Sequence, residues 1–188
     1  KKNLISNKNI IIDSKSGYSG AGRHVHRKYR NQNLYESLSA YGLAIHRHNS
    51  EIQQELDSNT GKINDFQFTP HLTPMFRGIL STIYVDLKKG VSKNKVNSEL
   101  KKYYKNEMFV KISNRNVFLS TNDVINTNKC IISVCNSKKK DKKIRKSVNM
   151  KIMDGTVAPP PMRQSFRVSA LIPTNVATDG RRKKTKVG

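Results

Sequence analysis

The sequence predicts an α+β fold, a mixed or antiparallel sheet with helices on one face, and two patterns carry that expectation. Short apolar runs rich in Ile, Val, Phe and Tyr recur between polar breaks, which is how strands read. Two stretches with apolar side chains at helical spacing interrupt them, and helices interspersed in this way pack against a sheet rather than against one another. No internal repeat of 20 to 50 residues is visible, so repeat architectures are set aside.

Taken in order, Asn9-Ile10-Ile11-Ile12-Asp13 reads as a short buried strand. It is followed by Ser14-Lys15-Ser16-Gly17-Tyr18-Ser19-Gly20-Ala21-Gly22-Arg23, a loop whose three glycines and three serines let its backbone approach a ligand closely. Ser39 to Ile45 is expected as a strand leading into His46-Arg47-His48. Asn49 or Ser50 is then expected to N-cap a helix through Glu51 to Leu56, with Ile52 and Leu56 on one face and an acid in the first turn. Phe66 to Pro70 and Gly78 to Asp86 are β-rich around a proline-containing loop. Val96, Leu100, Tyr103 and Tyr104 mark a helix over 92–106, and strands return at Met108 to Ile112 and Cys130 to Cys135. The odd separation of Cys130 and Cys135 on one strand sends the two thiols to opposite faces, which suits small core residues better than a local disulfide or a shared metal.

Composition divides the chain. It has 188 residues and a formal charge of +23, a charge that attracts polyanions. Residues 128–188 carry 16 Lys+Arg against 3 Asp+Glu, whereas 1–127 carry 20 against 10, so over half of the excess lies in the last third. Asparagines are frequent up to Asn149, and only Asn175 follows it. Pro159-Pro160-Pro161 and Arg181-Arg182-Lys183-Lys184 belong to that later part. The expected organisation is therefore an α+β domain at 1–136 and a basic, proline-containing, poorly ordered tail at 137–188. The basic runs read as solvated loops or tail rather than as a nucleic-acid surface. No apolar stretch approaches the roughly 20 residues of a membrane span, and the first residues lack a secretory signal pattern, so a soluble cytoplasmic protein is expected.

His46 and His48, two apart on an expected extended segment, would project to one side with Arg47 between them. A His-x-His metal pair, a catalytic imidazole with anion-binding neighbours and ordinary surface histidines all remain open on this pattern. A metal would need a third ligand such as His24, His26 or His71.

Three blocks then become recognisable together. Ile11 to Arg23, Tyr41-Gly42 with His46-Arg47-His48-Asn49-Ser50-Glu51-Ile52, and Phe68-Thr69-Pro70-His71-Leu72-Thr73-Pro74-Met75-Phe76-Arg77-Gly78-Ile79-Leu80-Ser81-Thr82-Ile83-Tyr84 resemble, in order, the signatures of the N-acetyl-gamma-glutamyl-phosphate reductases of arginine biosynthesis. More loosely, the resemblance extends through Phe118 to Val124 and the Cys130 run, covering about residues 1–135. It implies the second domain of a semialdehyde dehydrogenase, a homo-oligomeric enzyme that reduces a small acyl phosphate to an aldehyde with NADPH, the NADPH being held mainly by an N-terminal nucleotide-binding domain. By resemblance His46 is the catalytic acid/base, Arg47 and His48 hold the anionic substrate, and Ser16, Gly17, Ser19 and Gly20 lie on the cofactor side. No metal is implied.

The sequence also departs from the family. The Asn-Pro-Gly-Cys nucleophile does not occur in it, and Cys130 and Cys135 stand in no such motif. The family's closing segment is replaced after Cys135 by Lys138-Lys139-Lys140 and the proline-rich stretch. A fragment inactive on its own is the expectation, with the related aminoadipate-semialdehyde dehydrogenase of lysine biosynthesis, or a basic nucleic-acid-binding module, as the alternatives.

Overall fold

The computed structural model describes residues 4–21, 36–60, 65–113, 119–136 and 147–154. Within them β1 (Ile10–Gly17), β2 (Ser39–Ala40), α1 (His48–Thr60), β3 (Phe66–Thr73), β4 (Ile79–Asp86), α2 (Lys93–Tyr103), β5 (Val110–Ser113), β6 (Cys130–Asn136) and β7 (Ser147–Asp154) form an α+β domain. The seven strands make one mixed sheet in the order β2-β3-β1-β4-β7-β6-β5. β1 runs parallel to β3 and antiparallel to β4, while β6 runs parallel to β5 and antiparallel to β7.

Alternation along the strands explains the core. Ile10 and Ile12 of β1, Ile83 and Val85 of β4, and Ile132 and Val134 of β6 join Ile52 and Leu56 of α1 and Val96 and Leu100 of α2 in a single buried cluster. Ile52 and Leu56 sit one helical turn apart and therefore share a face, and each such buried side chain contributes about 1.5 to 3 kcal/mol. Ser92 caps α2 by accepting from the Lys95 amide, the usual use of a serine at that position. The other face of β1, β3 and β4 carries Ile11 and Tyr84, paired across the ladder and 41% and 39% exposed. Beside them the Lys15 ammonium pairs with Asp13, and His71 Nδ1 stands 3.1 Å from the same carboxylate without hydrogen-bond alignment.

Four expectations are corrected. The first strand does not stop at Asp13, because Ser14 to Gly17 pair with β3 on one side and Ser14 to Ser16 with β4 on the other; two ladders outweigh the weak strand preference of Ser and Gly. The strand expected at Ser39 to Ile45 is only Ser39–Ala40. Left-handed backbone at Gly42 (φ 59°) and Ala44 (φ 62°) turns the chain away after it. α1 begins at His48, earlier than the expected cap, and the Ser50 hydroxyl donates to the Arg47 carbonyl instead of capping. Finally, part of the expected tail is sheet, since Ser147–Asp154 pairs with β4 along eight residues and with β6 along seven. A strand so placed bridges two halves that would otherwise each show an open edge. Residues 137–146 and 155–188 of that expected tail lie outside the described residues. No helix among the described residues is long and apolar enough to cross a membrane.

Candidate functional site

His46 is placed by the turn between β2 and α1. The Ile45 amide donates to the Gly42 carbonyl (3.2 Å) and the Asn49 amide to the His46 carbonyl (2.9 Å), which holds the imidazole at the threshold of the helix. A Cβ on Gly42 would stand 3.1 Å from His46 Cδ2, tighter than an ordinary contact, and the φ of 59° there also favours glycine, so Gly42 lets the ring lie close over the turn. Three rings meet His46 edge-on: Tyr41 at 5.4 Å, Phe68 of β3 at 5.4 Å and His48 at 4.8 Å.

His46 and His48 were expected to project to one side of an extended segment; the structure instead brings their rings to 4.8 Å through a turn and a helix start. The His48 backbone amide donates to His46 Nδ1 (3.2 Å). In the neutral ring the proton then sits on Nε2, which leaves that atom as the donor. Burial, together with the neighbouring His48 and Arg47, lowers the His46 pKa below its ordinary value of 6.5, and Glu51 opposes them. At neutral pH this histidine is an uncharged ring with a directed N–H. The exposed Arg47 and the half-buried His48 flank it.

His71 is not a third ligand for such a pair. It lies on the face of β3 opposite to Phe68, where His46 packs, because neighbouring strand positions of odd separation point to opposite sides. Among the described residues no three His, Cys, Asp or Glu side chains are grouped to hold a metal ion; His24 and His26 lie outside them. Cys130 and Cys135, which form no disulfide, are on β6, four strand spacings from β3, roughly 19 Å at the normal inter-strand distance.

The Ser16, Gly17, Ser19 and Gly20 group is elsewhere along the strands. Ser16 and Gly17 end β1, and Ser19 and Gly20 lie in a 3-10 turn, Tyr18–Ala21. Ser16 pairs with Leu72, four residues beyond Phe68 on β3, roughly 13 Å along the strand. The fold thus does not put these four residues in contact with His46. Their polar groups are largely engaged within the protein: the Gly17 amide donates to the Gly78 carbonyl (2.9 Å), Tyr18 to Met75 (3.1 Å) and Ser19 to Phe76 (3.0 Å). The Ser16 hydroxyl donates to the His71 carbonyl (3.3 Å). The amides of Gly17, Tyr18 and Ser19 are thus engaged on the Met75 to Gly78 segment, and Gly22 and Arg23 of the same loop lie outside the described residues. Gly17 is needed for that approach, since a Cβ there would meet three backbone atoms at 2.8 to 2.9 Å.

What this clamp presents is Phe76 and Arg77. The Tyr18 ring meets Phe76 edge-on at 5.2 Å, and the Arg77 guanidinium lies over the same ring at 5.1 Å. Arg77 stood inside the recognisable third block, but nothing in its local sequence marked it. Only the contact between two loops far apart in the chain does so.

Comparison with known proteins agrees with this architecture. The family described as semialdehyde dehydrogenase, dimerisation domain, matches residues 1–149. The chain is 42% identical to N-acetyl-gamma-glutamyl-phosphate reductase of Desulforamulus reducens, covering 70% of this chain and 38% of that protein. It is 44% identical to the protein of the same name from Vesicomyosocius okutanii subsp. Calyptogena okutanii, over 73% and 40%. Its fold is similar to that of aspartate semialdehyde dehydrogenase II from Vibrio cholerae, with a TM-score of 0.59 at 12% identity, over 80% of this chain and 50% of that one. The chain thus spans about two fifths of the length of these reductases.

Proposed function

The chain belongs to the semialdehyde dehydrogenase dimerisation-domain family, and from that premise we propose that it serves the NADPH-dependent reduction of N-acetyl-glutamyl phosphate to the semialdehyde, with His46 as acid/base. The relatives bearing the reductase name support the substrate. The observation that carries the residue assignment is the His48 amide on His46 Nδ1, because it turns a neutral imidazole into a donor of fixed direction.

NADPH supplies the hydride when bound, and the thiol nucleophile of the family stands in the Asn-Pro-Gly-Cys motif that these 188 residues do not contain. What this chain's own residues contribute is orientation and a proton. Because the His48 amide occupies Nδ1, Nε2 is the atom through which His46 meets the substrate: as Nε2–H it donates toward the substrate oxygen as negative charge develops there, and any proton the ring exchanges passes through that same nitrogen. Arg47 and His48 hold the anionic substrate beside it, for which a guanidinium is suited by its paired donors. Ser16, Gly17, Ser19 and Gly20 line the cofactor side through the surface their clamp creates. Homo-oligomeric assembly of the complete enzyme belongs to the same reading and is supported by the family's description as a dimerisation domain.

The test is reconstitution. Mixed with the separately expressed nucleotide-binding portion of the Desulforamulus reducens reductase, the chain should support NADPH oxidation that requires N-acetyl-glutamyl phosphate. His46→Ala should lower that rate by about 100-fold or more, the scale of a lost general acid/base. Turnover that survives His46→Ala undiminished would remove His46 from the chemistry.

A further inference from the structure

We infer that Arg77 is an anion-binding residue that holds a carboxylate or phosphate end of the substrate, and that the Ser16 to Ala21 turn is the pedestal that positions it. The inference rests on the functional reading above for the identity of the substrate, and on geometry for the site. Three independent backbone hydrogen bonds tie residues 17, 18 and 19 to the carbonyls of residues 78, 75 and 76, so the segment that carries Arg77 is held at both sides of its tip. Gly17 permits this contact, with a Cβ position only 2.9 Å from the Arg77 amide nitrogen. Tyr18 then buttresses Phe76, and Phe76 offers its ring to the guanidinium at 5.1 Å.

The chemistry of that stack is directional. A guanidinium lying on an aromatic face keeps the donors along its edge free, and these match the two oxygens of a carboxylate or phosphate. No ion pair joins Arg77 to a carboxylate among the described residues. Arg77 rests on Phe76, pairs with no carboxylate among the described residues and stands on a segment gripped by the Gly17, Tyr18 and Ser19 amides, so among those residues its donors have no acidic partner. The substrate class proposed above is anionic at both ends, and Arg77 offers one such end a guanidinium held in place on Phe76.

The experiment is a titration of the isotopically labelled 188-residue chain with inorganic phosphate and, separately, with N-acetylglutamate, read by the Arg77 side-chain Nε–H and the Phe76, Arg77 and Gly78 amides. Saturable shifts at these positions are expected with at least one probe, phosphate reporting the phosphoryl end and N-acetylglutamate the carboxylate end. Arg77→Gln should weaken that binding about tenfold, the scale of one charge-assisted hydrogen-bonding group. Protection of the Tyr18 and Ser19 amides from exchange checks that the turn is intact in the variant. If Arg77→Gln loosens it, Arg77→Lys decides: this variant keeps the charge but not the fork, so a loss of affinity supports the proposal and unchanged affinity overturns it. Shifts confined to Arg47 and His48, no saturable shift with either probe, or equal affinity in Arg77→Gln with the turn intact would each overturn it. The His46 reconstitution and this titration read different residues, so either reading can fail without the other.

Discussion

Replacing Gly17 with alanine is expected to destabilise the domain by about 2 to 4 kcal/mol, and the magnitude follows from what the added methyl group meets. Its position is 2.8 Å from the Phe76 carbonyl oxygen and 2.9 Å from both the Arg77 amide nitrogen and the Met75 carbonyl oxygen. All three are backbone atoms, so no side chain can swing aside to relieve the contact. Overpacking of this kind costs about 1 to 3 kcal/mol. Moving the segment away weakens the bonds from Gly17, Tyr18 and Ser19, each with a net contribution of about 0.5 to 1.5 kcal/mol. Alanine recovers only about 0.5 to 1 kcal/mol through its less flexible unfolded chain. Urea denaturation of Gly17→Ala beside the parent measures the loss. Amide exchange at Tyr18 and Ser19 locates it, and these two sites should exchange faster than the core amides of Ile12 and Ile83. A loss below about 0.5 kcal/mol, within the range of an ordinary surface change, together with unchanged protection at Tyr18 and Ser19, would refute the clamp.

Three further outcomes follow from named contacts. An NMR titration should find the His46 midpoint below 6.5, with nitrogen shifts reporting the Nε2–H tautomer; a higher midpoint or an Nδ1–H ring would contradict the His48 amide contact. Because the folded value is the lower one, protonation opposes folding: His46 imposes no penalty above pH 6.5, and the penalty grows as pH falls and is complete below the folded value. The buried pair Ser14 and Ser81, whose hydroxyls lie 2.7 Å apart, should show strong coupling, each single alanine costing about 1 to 3 kcal/mol by leaving a buried hydroxyl without its partner, and the double variant costing less than the sum of the two in a denaturation cycle. The isolated chain should not oxidise NADPH with N-acetyl-glutamyl phosphate, because its thiols stand on β6, roughly 19 Å by strand spacing from β3; steady turnover abolished by Cys130→Ser or Cys135→Ser would reverse that assignment.

Much of the fold was legible because the signals are local. Short apolar runs at Ile10-Ile11-Ile12, Ile79 to Asp86 and Cys130 to Cys135 announce strands, and the turn spacing of Ile52 with Leu56 and of Val96 with Leu100 announces helices that share a core. The recognisable blocks around His46 likewise survive inspection one by one, since a turn residue such as Gly42 and a histidine four positions later are close in the chain. Residues 147–154 read as tail because a lysine run precedes them and prolines follow, and composition averages over a strand only eight residues long. Their partners, β4 and β6, end or begin more than ten residues away in sequence, and no local pattern reports such a pairing.

The sequence by itself determined the α+β class, the positions of most strands and both helices, and the family blocks that single out His46, Arg47 and His48. Only the tertiary structure decided that His71 faces away from His46, that the Ser16 to Gly20 turn grips the Met75 to Gly78 backbone, and that this grip raises Arg77 on Phe76. The physical reason is the range of the interactions. Propensity and periodicity act within a few residues and are written in order along the chain, whereas hydrogen bonds across a mixed sheet and the close approach of two backbones depend on register between segments some 60 residues apart, which no local reading contains.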